Sequence, residues 1–126
     1  MNEKSKERIQ KLNRLLVESL ETTFGVNVYQ DQVSEDEEAN YHYFIFETGG
    51  FVPTQTDYTL NQEVLVRYYS ENRDDLDERT LDIISVLKNA GYSFLRSQKS
   101  SIQKGETDSY VDEIELYFNR ALKYGY

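Results

Sequence analysis

At 126 residues the chain is about one domain long, and it contains no cysteine, which excludes disulfides and thiolate metal sites. Its net charge of −9 is uneven: residues 1–14 carry five Lys/Arg against two Glu, or +3, leaving −12 on the other 112. An acidic body repels phosphate, which disfavours general nucleic-acid binding; no apolar run nears the ~20 residues of a membrane span, so a soluble chain without a signal peptide is expected.

Residues 3–24 read as an amphipathic helix. Ile9, Leu12, Leu15, Leu16, Leu20 and Phe24 recur at three- and four-residue steps, and Gly25 follows where a helix C-cap is expected. VNVYQDQV (26–33) alternates like a short first strand. The acids of SEDEEAN after it offer oxygen ligands, but without the glycine-pivoted spacing of a calcium loop they read as solvated charge.

YHYFIFETGG is the strongest strand. Tyr41, Tyr43 and Ile45 lie on one face, and His42, Phe44 and Phe46 on the other. A strand apolar on both faces is covered on both, by helices on one side and by something else, such as another subunit, on the other. The chain has eleven tyrosines, a residue suited to half-wet contacts. GGFVPTQTD (49–57) reads as a loop holding the only proline, Pro53, and YTLNQEVLVRYYSEN alternates as a third strand.

A second helix starts near Asp75, three residues before Glu78, with the spacing of a capping box. Asp74, Asp75, Asp77 and Glu78 crowd the positive end of its dipole. Leu76, Thr80, Ile83, Ile84, Leu87 and Ala90 form its buried stripe, and Gly91 ends it. YSFLRS (92–97) begins a fourth strand, QKSSIQKGETDS is a polar connection, and DEIELYFNRAL is the last strand. Residues 1–126 thus form a single α+β domain in the order helix, three strands, helix, two strands, with both helices on one face of a mostly antiparallel sheet.

No catalytic pattern emerges. His42 is the only histidine, and its place in the aromatic strand suits a packed or hydrogen-bonded role. There is no Gly-x-Ser-x-Gly elbow, and no phosphate-cradling Gly-x-x-x-x-Gly-Lys-Ser/Thr loop. Glu113 and Glu115 share a strand face, where charges commonly discourage edge pairing. A non-enzymatic protein without metal or cofactor is expected.

Three stretches carry a resemblance: LETTFGVNVY closing the first helix, TLNQEVLVRYYSENRDDLDERTLDIISVLKNAGYSF running from strand into helix, and the terminal SSIQKGETDSYVDEIELYFN. Together they resemble the tail-terminator and tail-completion proteins of long-tailed bacteriophages in hydrophobic spacing and length over most of the chain. The resemblance implies a homo-oligomeric ring, commonly a hexamer, that caps the tail tube and docks the head connector or neck protein. It is built in the host cytoplasm, resides in the virion, and lets DNA pass its lumen unbound. It also implies a subunit contact at Tyr41, Tyr43, Ile45 and Tyr69, and lumen or docking loops at Glu35, Asp36, Glu37, Glu38, Pro53, Glu106 and Asp108. The charge alone leaves an alternative open, an acidic module that mimics DNA and occupies a nucleic-acid-binding protein.

Overall fold

Helix α1 spans Glu3–Phe24, and its apolar stripe buries Leu16 and Leu20 completely. It stops at Gly25, whose φ of +67° is readily adopted by a residue without Cβ and whose N–H closes onto the Glu21 carbonyl at 2.8 Å. The computed structural model describes residues 3–33, 42–71, 73–103 and 110–124. The remaining elements are β1 (Val28–Gln30), β2 (Tyr43–Pro53), β3 (Thr59–Glu71), α2 (Leu76–Asn89), β4 (Ser93–Gln103) and β5 (Tyr110–Lys123).

The five strands form one sheet in the order β1-β2-β3-β5-β4. β1 lies parallel to β2, and every other neighbouring pair is antiparallel. Register follows the alternation of the sequence. Phe44, Tyr68 and Ile114 align across three strands, as do Phe46, Val66 and Leu116. This file faces the helices: the Phe24 ring of α1 lies 5.7 Å from that of Phe44. Leu16, Leu20, Ile83 and Leu87 close the core from above, and all four are fully buried. Each such side chain contributes roughly 1.5–3 kcal/mol by leaving water.

Several elements run further than local pattern suggests. β2 continues through Gly49 and Gly50, shifts register between Thr48 and Phe51, and ends at Pro53. Pro53 therefore closes a strand rather than sitting in a loop; a missing N–H costs nothing at a strand end. β4 takes in Gln98–Gln103, which read as connection, because an outer strand exposed along its whole length has no buried face to impose alternation. β5 is interior, so Glu113 and Glu115 do not guard an edge. Asp75 occupies the N-cap position of α2 but makes no side-chain cap; its carboxylate instead takes both Nε and Nη2 of Arg73, at 2.8 and 2.9 Å.

One buried polar cluster interrupts the core. Arg120, only 2% exposed, donates from Nε and Nη2 to the Gln62 Oε1 at 3.0 and 2.8 Å, and from Nη1 to the Tyr92 hydroxyl at 3.2 Å. Gln62 in turn donates from Nε2 to the Gly49 carbonyl at 3.0 Å. Among the described residues, no helix is long and apolar enough to cross a membrane.

Candidate interaction surfaces

The face of the sheet away from the helices gathers three of the four residues expected at a subunit contact. Tyr43 sits opposite Tyr69 with ring centroids 5.1 Å apart, Tyr29 packs edge-on against Tyr43 at 6.2 Å, and Ile45 sits opposite Arg67. Tyr43 and Ile45 are only 6% and 7% exposed, so the chain itself already covers them; Tyr69 is half-buried. The area this aromatic strand offers a neighbour is therefore small.

Around them lies a charge ladder. Arg67 reaches Glu47 at 3.2 Å, with Glu115 and Glu113 close enough to help hold its proton more tightly than usual. Burial, reinforced by a hydrogen bond to Glu113 and its charge, pushes the Tyr69 hydroxyl well above the ordinary tyrosine range. The Tyr117 hydroxyl donates to Glu115 at 3.0 Å, Ser100 donates to Glu113 at 3.2 Å, and the Arg96 guanidinium lies 3.9 Å from the centre of the Tyr117 ring. Carboxylates outnumber cations here, but most are engaged within the sheet.

His42 stands just before β2, exposed at its edge, with Nε2 3.0 Å from the Tyr68 hydroxyl. Partial burial, then the charges of Arg73 and Arg79, lower its pKa below the ordinary 6.5. The Tyr68 ring is sealed in the core and also faces the Arg79 guanidinium at 5.7 Å. This pairing suits anchoring of the strand start better than proton transfer to a substrate. Among the described residues, no group of three or more His, Asp or Glu side chains is placed to hold a metal ion.

The accessible features lie elsewhere. Every residue of β4 is exposed, and its outer backbone edge runs for eleven residues with Arg96 and Lys99 as its only charges. The β2–β3 hairpin projects Phe51, Val52 and Tyr58 into solvent, with Pro53 exposed beside them. By contrast β1, at the other edge, is only three residues long, and the Glu21 carboxylate accepts its Val28 N–H at 3.1 Å. A groove of about 270 Å³ opens between the first half of α1 and the end of β5.

Tyr41, Glu35, Asp36, Glu37, Glu38, Glu106 and Asp108 lie outside the described residues. Sequence reasoning missed Arg120 and Gln62, although both stand in phase with buried neighbours, Arg120 with Leu116 and Phe118, Gln62 with Val64 and Val66. Neither the models of known protein families nor the curated proteins give a match to this chain.

Proposed function

We propose that this protein is a structural component of a bacteriophage or prophage tail, assembling into a ring at the end of the tail tube and joining it to the head connector. The observation that carries this reading is the uneven treatment of the sheet's two edges. One edge is short and its N–H is taken by Glu21, while β4, eleven residues long and exposed throughout, stands at the other with one register shift between Phe94 and Arg96. Such an edge is a ready template for another chain and is normally blunted in a protein that works alone. The acid-rich outer sheet face, with Glu47, Glu63, Glu113 and Glu115 beside Arg67 and Arg96, has the sign that lets DNA slide past without sticking.

Light scattering after size-exclusion chromatography, alone and with a bacteriophage tail-tube protein, tests the proposal, with negative-stain microscopy of any large species. Discrete rings are the expected result. A monomer at every concentration, with no binding to tube or neck proteins, overturns the proposal and favours the acidic module, which a pull-down against DNA-binding proteins then tests.

A further inference from the structure

The one concentrated basic segment of this acidic chain lines a groove with an apolar floor. Leu12, Leu15 and Leu122 form the floor, and Arg8, Lys11 and Lys123 form the rim. Leu15 remains 41% exposed although it belongs to the apolar stripe of α1. Arg8 donates to the Lys123 carbonyl at 3.3 Å, which ties the helix to the end of β5 and fixes the shape of the groove.

The same chain presents the complementary shape and charge. Leu81 on α2 is 65% exposed, the most exposed large apolar side chain among the described residues. Glu78 and Asp82, also exposed, stand three residues before and one after it; four apart, they sit one above the other along one side of the leucine. An apolar knob with acids along one side thus matches an apolar hollow with cations on its rim.

The two surfaces cannot meet within one molecule. The start of α2 packs at the far end of α1, where the Arg79 guanidinium lies 4.9 Å from the Phe24 ring centre. Leu12 is twelve residues from Phe24, about 18 Å along the helix axis at 1.5 Å per residue. We infer that the α1–β5 groove is the docking site for a second copy of this chain, which inserts Leu81 between Leu12, Leu15 and Leu122 while Glu78 and Asp82 meet Arg8, Lys11 and Lys123. The occupant is chosen by charge: the groove attracts acid, and an exposed leucine with two acids beside it exists on the same polypeptide. Two different patches in contact make a heterologous interface, which propagates head to tail and closes into a ring when the rotation per subunit allows. The inference rests on the ring reading for its biological sense, but not for its chemistry.

The absence of native cysteine gives a clean test. Full-length Leu15→Cys and Leu81→Cys chains are mixed, oxidised mildly at low ionic strength, and the disulfides are assigned by peptide mass spectrometry. Random collision makes the 15–81 product about half of the total, whereas docking makes it exceed the two homotypic products by on the order of tenfold. Adding Glu78→Lys and Asp82→Lys to the Leu81→Cys chain returns the yield to the random share. Adding Arg8→Glu and Lys11→Glu to its partner restores the preference, which a merely misfolded variant does not do. A random share in the parent pair overturns the contact. Light scattering of the unmodified chain, run alongside, separates the two claims. A random share in a chain that still forms rings removes this contact and leaves the ring reading standing. A strong 15–81 preference in a chain that stops at a dimer upholds the contact and removes the ring.

Discussion

Truncating Gln62 should harm the fold more than removing the buried charge that it serves. Arg120 carries a guanidinium into the core with an amide and a phenol as its described partners, at 2.8–3.2 Å. Gln62→Leu leaves Nε and Nη2 of Arg120 without an acceptor and strands the cation, a loss of roughly 3–5 kcal/mol by comparison with broken buried ion pairs. Arg120→Met removes the charge along with its desolvation cost, leaving the neutral Gln62 oxygen and Tyr92 hydroxyl to be satisfied, so the net loss is about 1–2 kcal/mol. The double variant should be no worse than Gln62→Leu alone and should recover about half of its loss. At about 4 °C per kcal/mol for a chain of this size, Gln62→Leu lowers Tm by on the order of 12–20 °C. Urea unfolding followed by far-UV circular dichroism, with the slope of each transition checked for constancy, measures all three. A Gln62→Leu variant more stable than Arg120→Met would refute the view that the amide's main task is to hold the charge.

Other expectations follow from the same geometry. Leu87→Asp places a carboxylate at a fully buried position under the sheet and should cost at least about 4 kcal/mol, leaving an unfolded chain by circular dichroism; a cooperative transition near that of the parent would mean α2 is packed by another face. His42 has a lowered pKa, so below pH 6.5 the unfolded chain takes up the proton first and stability falls with the pH. His42→Phe should flatten the part of this fall between about pH 6.5 and pH 5, above the carboxylate range, as read from urea midpoints; an unchanged slope would assign it to another group. Gly91 sits at φ +98° just after α2, and Gly91→Ala should cost about 1 kcal/mol, a modest drop in urea midpoint. Arg67→Met leaves Glu47, Glu113 and Glu115 together without their cation, and the loss of about 1 kcal/mol should shrink as salt is raised.

The helices and the two long middle strands were legible because their signals are local. Gly25 and Gly91 end their helices at positive φ, and alternation through Val64, Val66 and Tyr68, or Ile114, Leu116 and Phe118, continues into the observed register. What escaped was set at a distance. No local feature of QKSSIQ says strand, because β4 forms only by pairing with β5 and buries nothing. The insertion of β5 between β3 and β4 is a property of the whole sheet, so Glu113 and Glu115 looked like edge charges. Tyr43 and Ile45 showed correctly that β2 is apolar on both faces, but not that the chain already buries both. The docking candidates were hidden for a related reason. Leu15 and Leu81 look like any helical leucine until the fold shows which ones remain uncovered.

The pairing of β3 with β5 also has a consequence in time. It is the longest ladder of the sheet, from Thr59 opposite Lys123 to Glu71 opposite Val111, and its partners are separated in the chain by α2 and all of β4. The β2–β3 and β4–β5 pairs each join neighbours in sequence and can zip early, but the two hairpins merge only after a large loop has closed. Folding should therefore stall as two half-sheets, each with a raw inner edge that matches the inner edge of any other copy. While the chain waits there, the partner it needs is its own other half, and a crowded neighbour can supply a substitute. Domain exchange at the β3–β5 seam is thus the misassembly this topology most invites, and diluting the refolding chain should suppress it.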